Sequence, residues 1–181
     1  MDESGYKDCG DKLWTWCFRA PEFTVFHIDP SRSSNVLKAI LTETFGGILG
    51  SDYFNASHKH MADCGVLIQF CWAPLIRDIR FLAGHIDKSL GIWGNKLLPW
   101  VQQLTTPGIE PTNNQTEQAI RHIVIDRHIT QGTRGNRGQQ WCQRVWTILA
   151  TCRQQKRRVF EFFCQALNAH FQHKAAPSLL H

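Results

Sequence analysis

Two short apolar runs separated by a proline constrain this chain most. Leu13-Trp14-Thr15-Trp16-Cys17-Phe18 alternates and reads as a strand. Phe23-Thr24-Val25-Phe26-His27-Ile28 reads as a second, and Pro21 breaks the chain between them. Aromatic and β-branched runs of this length, bounded by turn residues, favour strands over helices. A connection of only a few residues permits antiparallel pairing and no other. The chain is thereby committed to an antiparallel pair near its N-terminus.

Beyond this pair, helix and strand alternate. Asp29-Pro30-Ser31 is expected to open a helix whose apolar face is Val36, Leu37, Ile40, Leu41 and Phe45, with Gly46-Gly47 ending it. Ile48-Leu49-Gly50-Ser51 reads as a short strand running into Asp52, at the strand end where α/β sheets place chemistry. A polar helical piece carries His58, His60 and Asp63, both histidines being read as surface residues. Val66 to Trp72 reads as a buried strand, and Pro74 suits the first turn of a helix with Leu75, Ile79 and Leu82 inward. Gly84 to Thr106 is weakly patterned, with one helix expected around Lys96 to Leu104 before a turn at Pro107-Gly108. Two closing helices carry Trp141, Val145, Ile148 and Leu149, then Phe160, Phe163, Leu167 and Phe171. The order is that of a mixed α/β layer arrangement.

At 181 residues and 43% hydrophobic, the chain can bury a core as one domain. No apolar run approaches membrane-span length, and the acidic N-terminus lacks a signal core, so the cytoplasm is expected. Seven cysteines occur without any Cys-x-x-Cys pair. That argues against a four-cysteine zinc site and for reduced thiols in the core. Charge is unevenly spread: Glu117 to Arg158 holds nine Lys or Arg against two acids, while the rest holds eleven against thirteen. A basic segment of this kind is what a phosphate-binding surface needs.

Three acids stand out by position: Asp2 before the first strand pair, Asp52 at a strand end, and Glu117 in Pro111-Thr-Asn-Asn-Gln-Thr-Glu-Gln-Ala-Ile-Arg121, where Asn113-Asn114 caps a helix. Glu117 could simply complement the helix dipole. Acids gathered from separate elements can instead hold a divalent metal through oxygen ligands.

Several motifs carry a resemblance. Asp2-Glu-Ser-Gly, Trp14-Thr-Trp-Cys-Phe18, Gly50-Ser-Asp-Tyr53, Cys71-Trp-Ala, the Pro111-to-Arg121 element, Gly132-Thr-Arg-Gly and Thr147-Ile-Leu-Ala-Thr-Cys-Arg-Gln-Gln155 resemble the insertion sequence 66 family of bacterial transposases. The resemblance implies a ribonuclease H-like mixed sheet flanked by helices, with a helical C-terminal part. It implies an Asp-Asp-Glu triad of Asp2, Asp52 and Glu117 binding two Mg²⁺ or Mn²⁺ ions, and DNA transposition by strand cleavage and strand transfer. DNA, as transposon ends and target, is the implied partner. Arg121, Arg127, Arg134 and Arg137 would contact its phosphates. A homo-oligomer or an intact transposase is a further implied partner, and no membrane is.

Departures from the family pattern shape the expectation. The chain begins one residue before Asp2, so the first strand is expected to be missing or incomplete and Asp2 mobile. The family's long helical insertion is expected to survive only as a remnant over 84–110, between a sheet-rich core at 1–83 and a Glu-bearing helix, basic loop and C-terminal helices at 111–175. Pro74 stands where the family commonly has the histidine of Cys-x-x-His. A degenerate transposase is the first expectation. The alternatives are a catalytically inactive DNA- or transposase-binding fragment, able to act as an inhibitor, and a gene relic.

Overall fold

A computed structural model describes residues 1–42, 45–52, 55–103 and 111–180. The elements in chain order are β1 (Asp2–Asp8), β2 (Asp11–Arg19), β3 (Thr24–Asp29), α1 (Ser34–Leu41), β4 (Ile48–Ser51), α2 (Asn55–Cys64), β5 (Leu67–Phe70), α3 (Trp72–Ala83), α4 (Lys88–Gln103), α5 (Asn114–Thr130), α6 (Asn136–Gln154) and α7 (Val159–Phe171). They form two compact units, one of Met1–Arg32 with Gln115–His181 and one of Ser33–Asn114. No helix among the described residues is long and apolar enough to cross a membrane.

In the first unit, β1, β2 and β3 form an antiparallel sheet in that order. The first strand, expected to be missing or incomplete, is present from Asp2 onward: Asp2 opens a seven-residue strand and pairs with Cys17. The strand is polar and shows no apolar alternation. Its register comes from the turn, where Cys9 and Gly10 both have positive φ (49° and 92°). Two such residues make the hairpin turn whose twist suits paired strands. Met1 is buried, so Asp2 does not stand on a loose terminus.

β2 is the central strand, and Trp16, Cys17 and Thr15 are fully buried. Tyr6, Leu13, Cys17, Phe26 and Ile28 from the sheet pack with Ile120 and Ile123 of α5 and Trp146 of α6. The Tyr6 and Trp146 rings meet edge to face at 5.6 Å, a favoured aromatic geometry. Burial lifts the Cys17 thiol to about 12, so it stays protonated. All described cysteines are free thiols.

β3 is an edge strand, and its outward backbone groups are met by side chains of α6. Thr147 Oγ1 accepts from the Phe26 amide at 3.0 Å. Thr151 Oγ1 accepts from the Thr24 amide at 3.1 Å and donates to the Thr24 carbonyl at 3.0 Å. Two residues along a strand and four along a helix span nearly the same distance, so the spacings match. On α6 the buried Trp is Trp146, while Trp141 faces solvent. On α7 the buried Phe is Phe162, with Phe160 and Phe171 exposed.

In the second unit, β4 and β5 pair in parallel, with α2 as the crossover. α1 begins at Ser34, later than expected, because Asp29 Oδ1 accepts from the Ser31 amide at 2.7 Å and holds an Asx turn ahead of it. It ends at Leu41, so Phe45 and Gly46-Gly47 lie outside it. His60 is fully buried, which corrects its reading as a surface residue, and His58 stacks on Phe70 at 4.6 Å. Ile79 is the buried residue of α3, whereas Leu75 is exposed. The weakly patterned stretch is the 16-residue α4, capped by Asp87 Oδ1 accepting from the Ser89 amide at 2.8 Å. Leu104, Thr106, Pro107 and Gly108 lie outside the described residues. α4 crosses α3 at Gly94, where a Cβ would stand 2.3 Å from the Ala83 nitrogen.

Candidate active site

Asp2 is half-buried at the first position of β1, and its Oδ1 accepts from the Glu3 amide at 2.9 Å. Neighbouring Glu3 points to the other face of the strand. Its buried carboxylate accepts from Arg32 Nε at 2.9 Å and Nη2 at 2.6 Å. Arg32 in turn lies 4.5 Å from the Trp14 ring centroid. The chain around Asp2 is therefore held by burial, strand pairing and a guanidinium that donates twice.

Glu117 is exposed on α5, while Thr116, Ile120 and Ile123 are the buried residues of that helix. Three contacts lay α5 and the following loop along the hairpin. Arg19 Nε donates to Gln115 Oε1 at 3.1 Å, at the far end of β2. Arg127 Nη1 donates to Ser4 Oγ at 3.0 Å and to the Gly5 carbonyl. The loop after α5 then bridges to Asp8. The helix thus runs from the Asp2–Cys17 end of the sheet toward the Cys9-Gly10 turn. Glu117 is two residues past Gln115, and so lies toward the same end of the unit as Asp2.

Asp52 follows the C-terminal end of β4 in the second unit. Ser51 Oγ donates to the Asp52 carbonyl at 2.9 Å and reaches its Oδ1 at 3.5 Å. Beside it, the Cys71 amide donates to the Ser51 carbonyl at 2.7 Å, and the Asn113 amide donates to Cys71 Sγ at 3.3 Å. The Trp72 amide donates to the Pro111 carbonyl at 2.8 Å. The Asn-Asn element is therefore docked at the end of β5. Among the described residues, no group of three or more His, Cys, Asp or Glu side chains is gathered as a metal site.

The arginines divide. Arg127 is half-buried and bonded within the chain, tying α5 to β1. Arg121, Arg134 and Arg137 are exposed. The Gly132-Thr-Arg-Gly135 loop that carries Arg134 is built around Asp8, which local sequence did not single out. Asp8 Oδ1 accepts from the Gly135 amide at 2.7 Å and Thr133 Oγ1 at 2.8 Å. These bonds, the Gly135 amide first, hold the Asp8 carboxyl below its usual range. Both glycines have positive φ, and a Cβ on Gly132 would lie 2.1 Å from the Lys7 carbonyl oxygen. The two glycines were the available signal that this loop docks closely on backbone.

Neither a curated protein nor a solved structure matches the chain. The family described as Transposase IS66 family matches residues 1–97, more than half of its length, including Asp2, Asp52 and Cys71. The chain belongs to the IS66 family of transposases.

Proposed function

We propose that this chain is an Asp-Asp-Glu transposase domain of ribonuclease H-like type, acting in DNA strand cleavage and transfer. Asp2, Asp52 and Glu117 would hold divalent metal, and exposed Arg121, Arg134 and Arg137 would position DNA phosphates. The observation that carries the reading is the common end of the first unit to which β1 and α5 bring Asp2 and Glu117. The order strand, strand, strand, helix, strand, helix, strand supports the fold type.

The donor set fits the metal. Three carboxylates offer only hard oxygen atoms, which suit Mg²⁺ or Mn²⁺. Asp2 and Asp52 are half-buried and Glu117 is exposed. When bound, a pair of such ions supplies activation of the attacking oxygen and charge stabilisation of the leaving one. The chain's own part is to hold the carboxylates: Asp2 by the hairpin, Glu117 by the anchors of α5, Asp52 by the Ser51 corner.

Incubation with supercoiled DNA and Mn²⁺ tests the proposal. Nicking is expected from the chain and is expected to vanish in Asp52→Ala, in Glu117→Ala and on chelation. Nicking that survives both substitutions refutes the triad. Pro74, in place of the family's histidine, favours a second reading as an inactive DNA-binding fragment. DNA binding with no nicking would establish that one instead.

A further inference from the structure

A cleft of about 860 Å³ lies in the first unit among the end of β2, α5, α6 and the start of α7. Three arginines from separate places line it: Arg19 at the end of β2, Arg153 on α6 and Arg157 just after it. Gln115 and Gln118 of α5 add amide groups, and Gln154 adds a third. No Asp or Glu is among the described residues that line it.

Arg19 and Arg157 are held by neutral partners, and none of the three arginines is in an ion pair among the described residues. Arg19 Nε donates to Gln115, a neutral partner. Arg157 Nη1 donates to the Ser178 carbonyl at 3.1 Å, and its guanidinium lies 5.3 Å from the Phe162 ring centroid. Arg153 is exposed on α6, four residues before Arg157, which follows the helix end. Among the described residues, the Arg–carboxylate ion pairs of this unit go to Arg32 and Arg158. Three guanidinium groups around one concavity repel each other, and an anion relieves that repulsion. The planar forks match phosphate oxygens, and neutral amides suit sugar and phosphate edges. The volume is in the range of sites that enclose whole ligands of drug size, which favours a run of backbone over one small ion.

We propose that this cleft binds the phosphodiester backbone of a DNA strand. The proposal rests on the reading of DNA as substrate, though not on catalysis by the carboxylates, since Glu117 is not among the lining residues. Arg153 and Arg157 lie close together in the chain, and Arg19, more than a hundred residues away, joins them only in the fold.

The test is anisotropy of a fluorescein-labelled DNA duplex titrated with the whole chain in EDTA, over a series of salt concentrations. Removing one phosphate contact should lower the salt slope by about 0.9. Arg153→Gln should therefore lower it by about one and Arg19→Gln/Arg153→Gln by about two, with affinity falling about tenfold or more. Arg153→Lys keeps the charge and should recover most of the affinity. Arg158→Glu reverses an exposed cation already paired with Glu161, outside the cleft, and should change little. Wild-type affinity and slope in the double variant would overturn the proposal. Equal weakening by Arg158→Glu and Arg153→Glu would also overturn it, because general charge would then explain the binding. Affinity is read without metal, so a silent triad leaves this result intact. Normal nicking with normal binding in the double variant would sink the cleft and spare the triad.

Discussion

Replacing Thr151 by valine removes a hydroxyl and leaves shape nearly unchanged. In this fold that hydroxyl is the partner of both backbone groups of Thr24, and both residues are fully buried. Each buried group left without a partner costs about 1–3 kcal/mol. Thr151→Val should therefore destabilise by about 2–6 kcal/mol. Thr151→Ser keeps the hydroxyl and loses a methyl, which costs about 1 kcal/mol. The two substitutions thus separate hydrogen bonding from packing. If α6 meets β3 through hydroxyls, valine is the worse residue; if through apolar contact, serine is.

Urea unfolding monitored by Trp fluorescence gives the ordering, and in a heat scan valine should lower the thermal midpoint by roughly 4–24 °C for a chain of this size. Hydrogen exchange adds a local readout. Protection of the Thr24 amide should drop sharply in Thr151→Val, while the Phe26 amide, bonded to Thr147, should keep more of its own. Val at or above Ser in stability, with Thr24 still protected, would refute the edge-capping argument.

Other substitutions probe other joints. Gly94→Ala should destabilise by about 1–2 kcal/mol net, despite alanine's better helix propensity, because the new Cβ meets Ala83 backbone at 2.3–2.6 Å; unchanged unfolding would show that α3 and α4 part easily. Asp8→Asn should speed exchange of the Gly135 amide. The folded Asp8 carboxyl is held low, so its stabilising share is present above the ordinary carboxylate value and lost as pH falls from there through the lower folded value; a loop equally protected in wild type and variant at neutral pH would count against the anchor. Burial, with Lys38 adding, holds the His60 imidazole below its usual range. The unfolded chain then binds the proton first, so stability is full above about pH 6.5 and falls as pH drops through it. His60→Gln should flatten that part of a midpoint-against-pH curve.

The strands that sequence marks well are those whose own side chains are buried in runs, such as β2 and β3. β1 escapes notice because its order comes from outside it. A two-residue turn sets its register, and Arg32 makes a buried Glu3 tolerable. α4 is obscured by Gly91, Gly94 and Pro99, each a poor helix residue. Gly94 answers to the close packing of α3, a contact that no local pattern records. The site acids could be marked one by one, since each stands at an element end. What tied Glu117 to the Asp2 end could not be read, because it depends on Gln115 reaching Arg19 and Arg127 reaching Ser4 across long stretches of chain.

This placement reverses which corner of the proposed triad is least secure. On sequence, Asp2 is the acid expected to be mobile. In the fold, it belongs to a strand paired along its whole length, beside a central strand whose Thr15, Trp16 and Cys17 are all buried. Asp52 instead depends on β4 and β5, four residues each, in a two-stranded sheet. Their apolar residues are partly bare, Leu67 being 67% and Ile48 45% exposed. Sheets so small hold themselves together weakly. Amides of β4 and β5 should therefore exchange faster than those of β1 and β2, and DNA with Mn²⁺ should slow the first pair more than the second. Equal protection of both sheets before ligand is added would show that Asp52 is as firmly placed as Asp2, and any loss of activity would then have to be sought in the residues themselves.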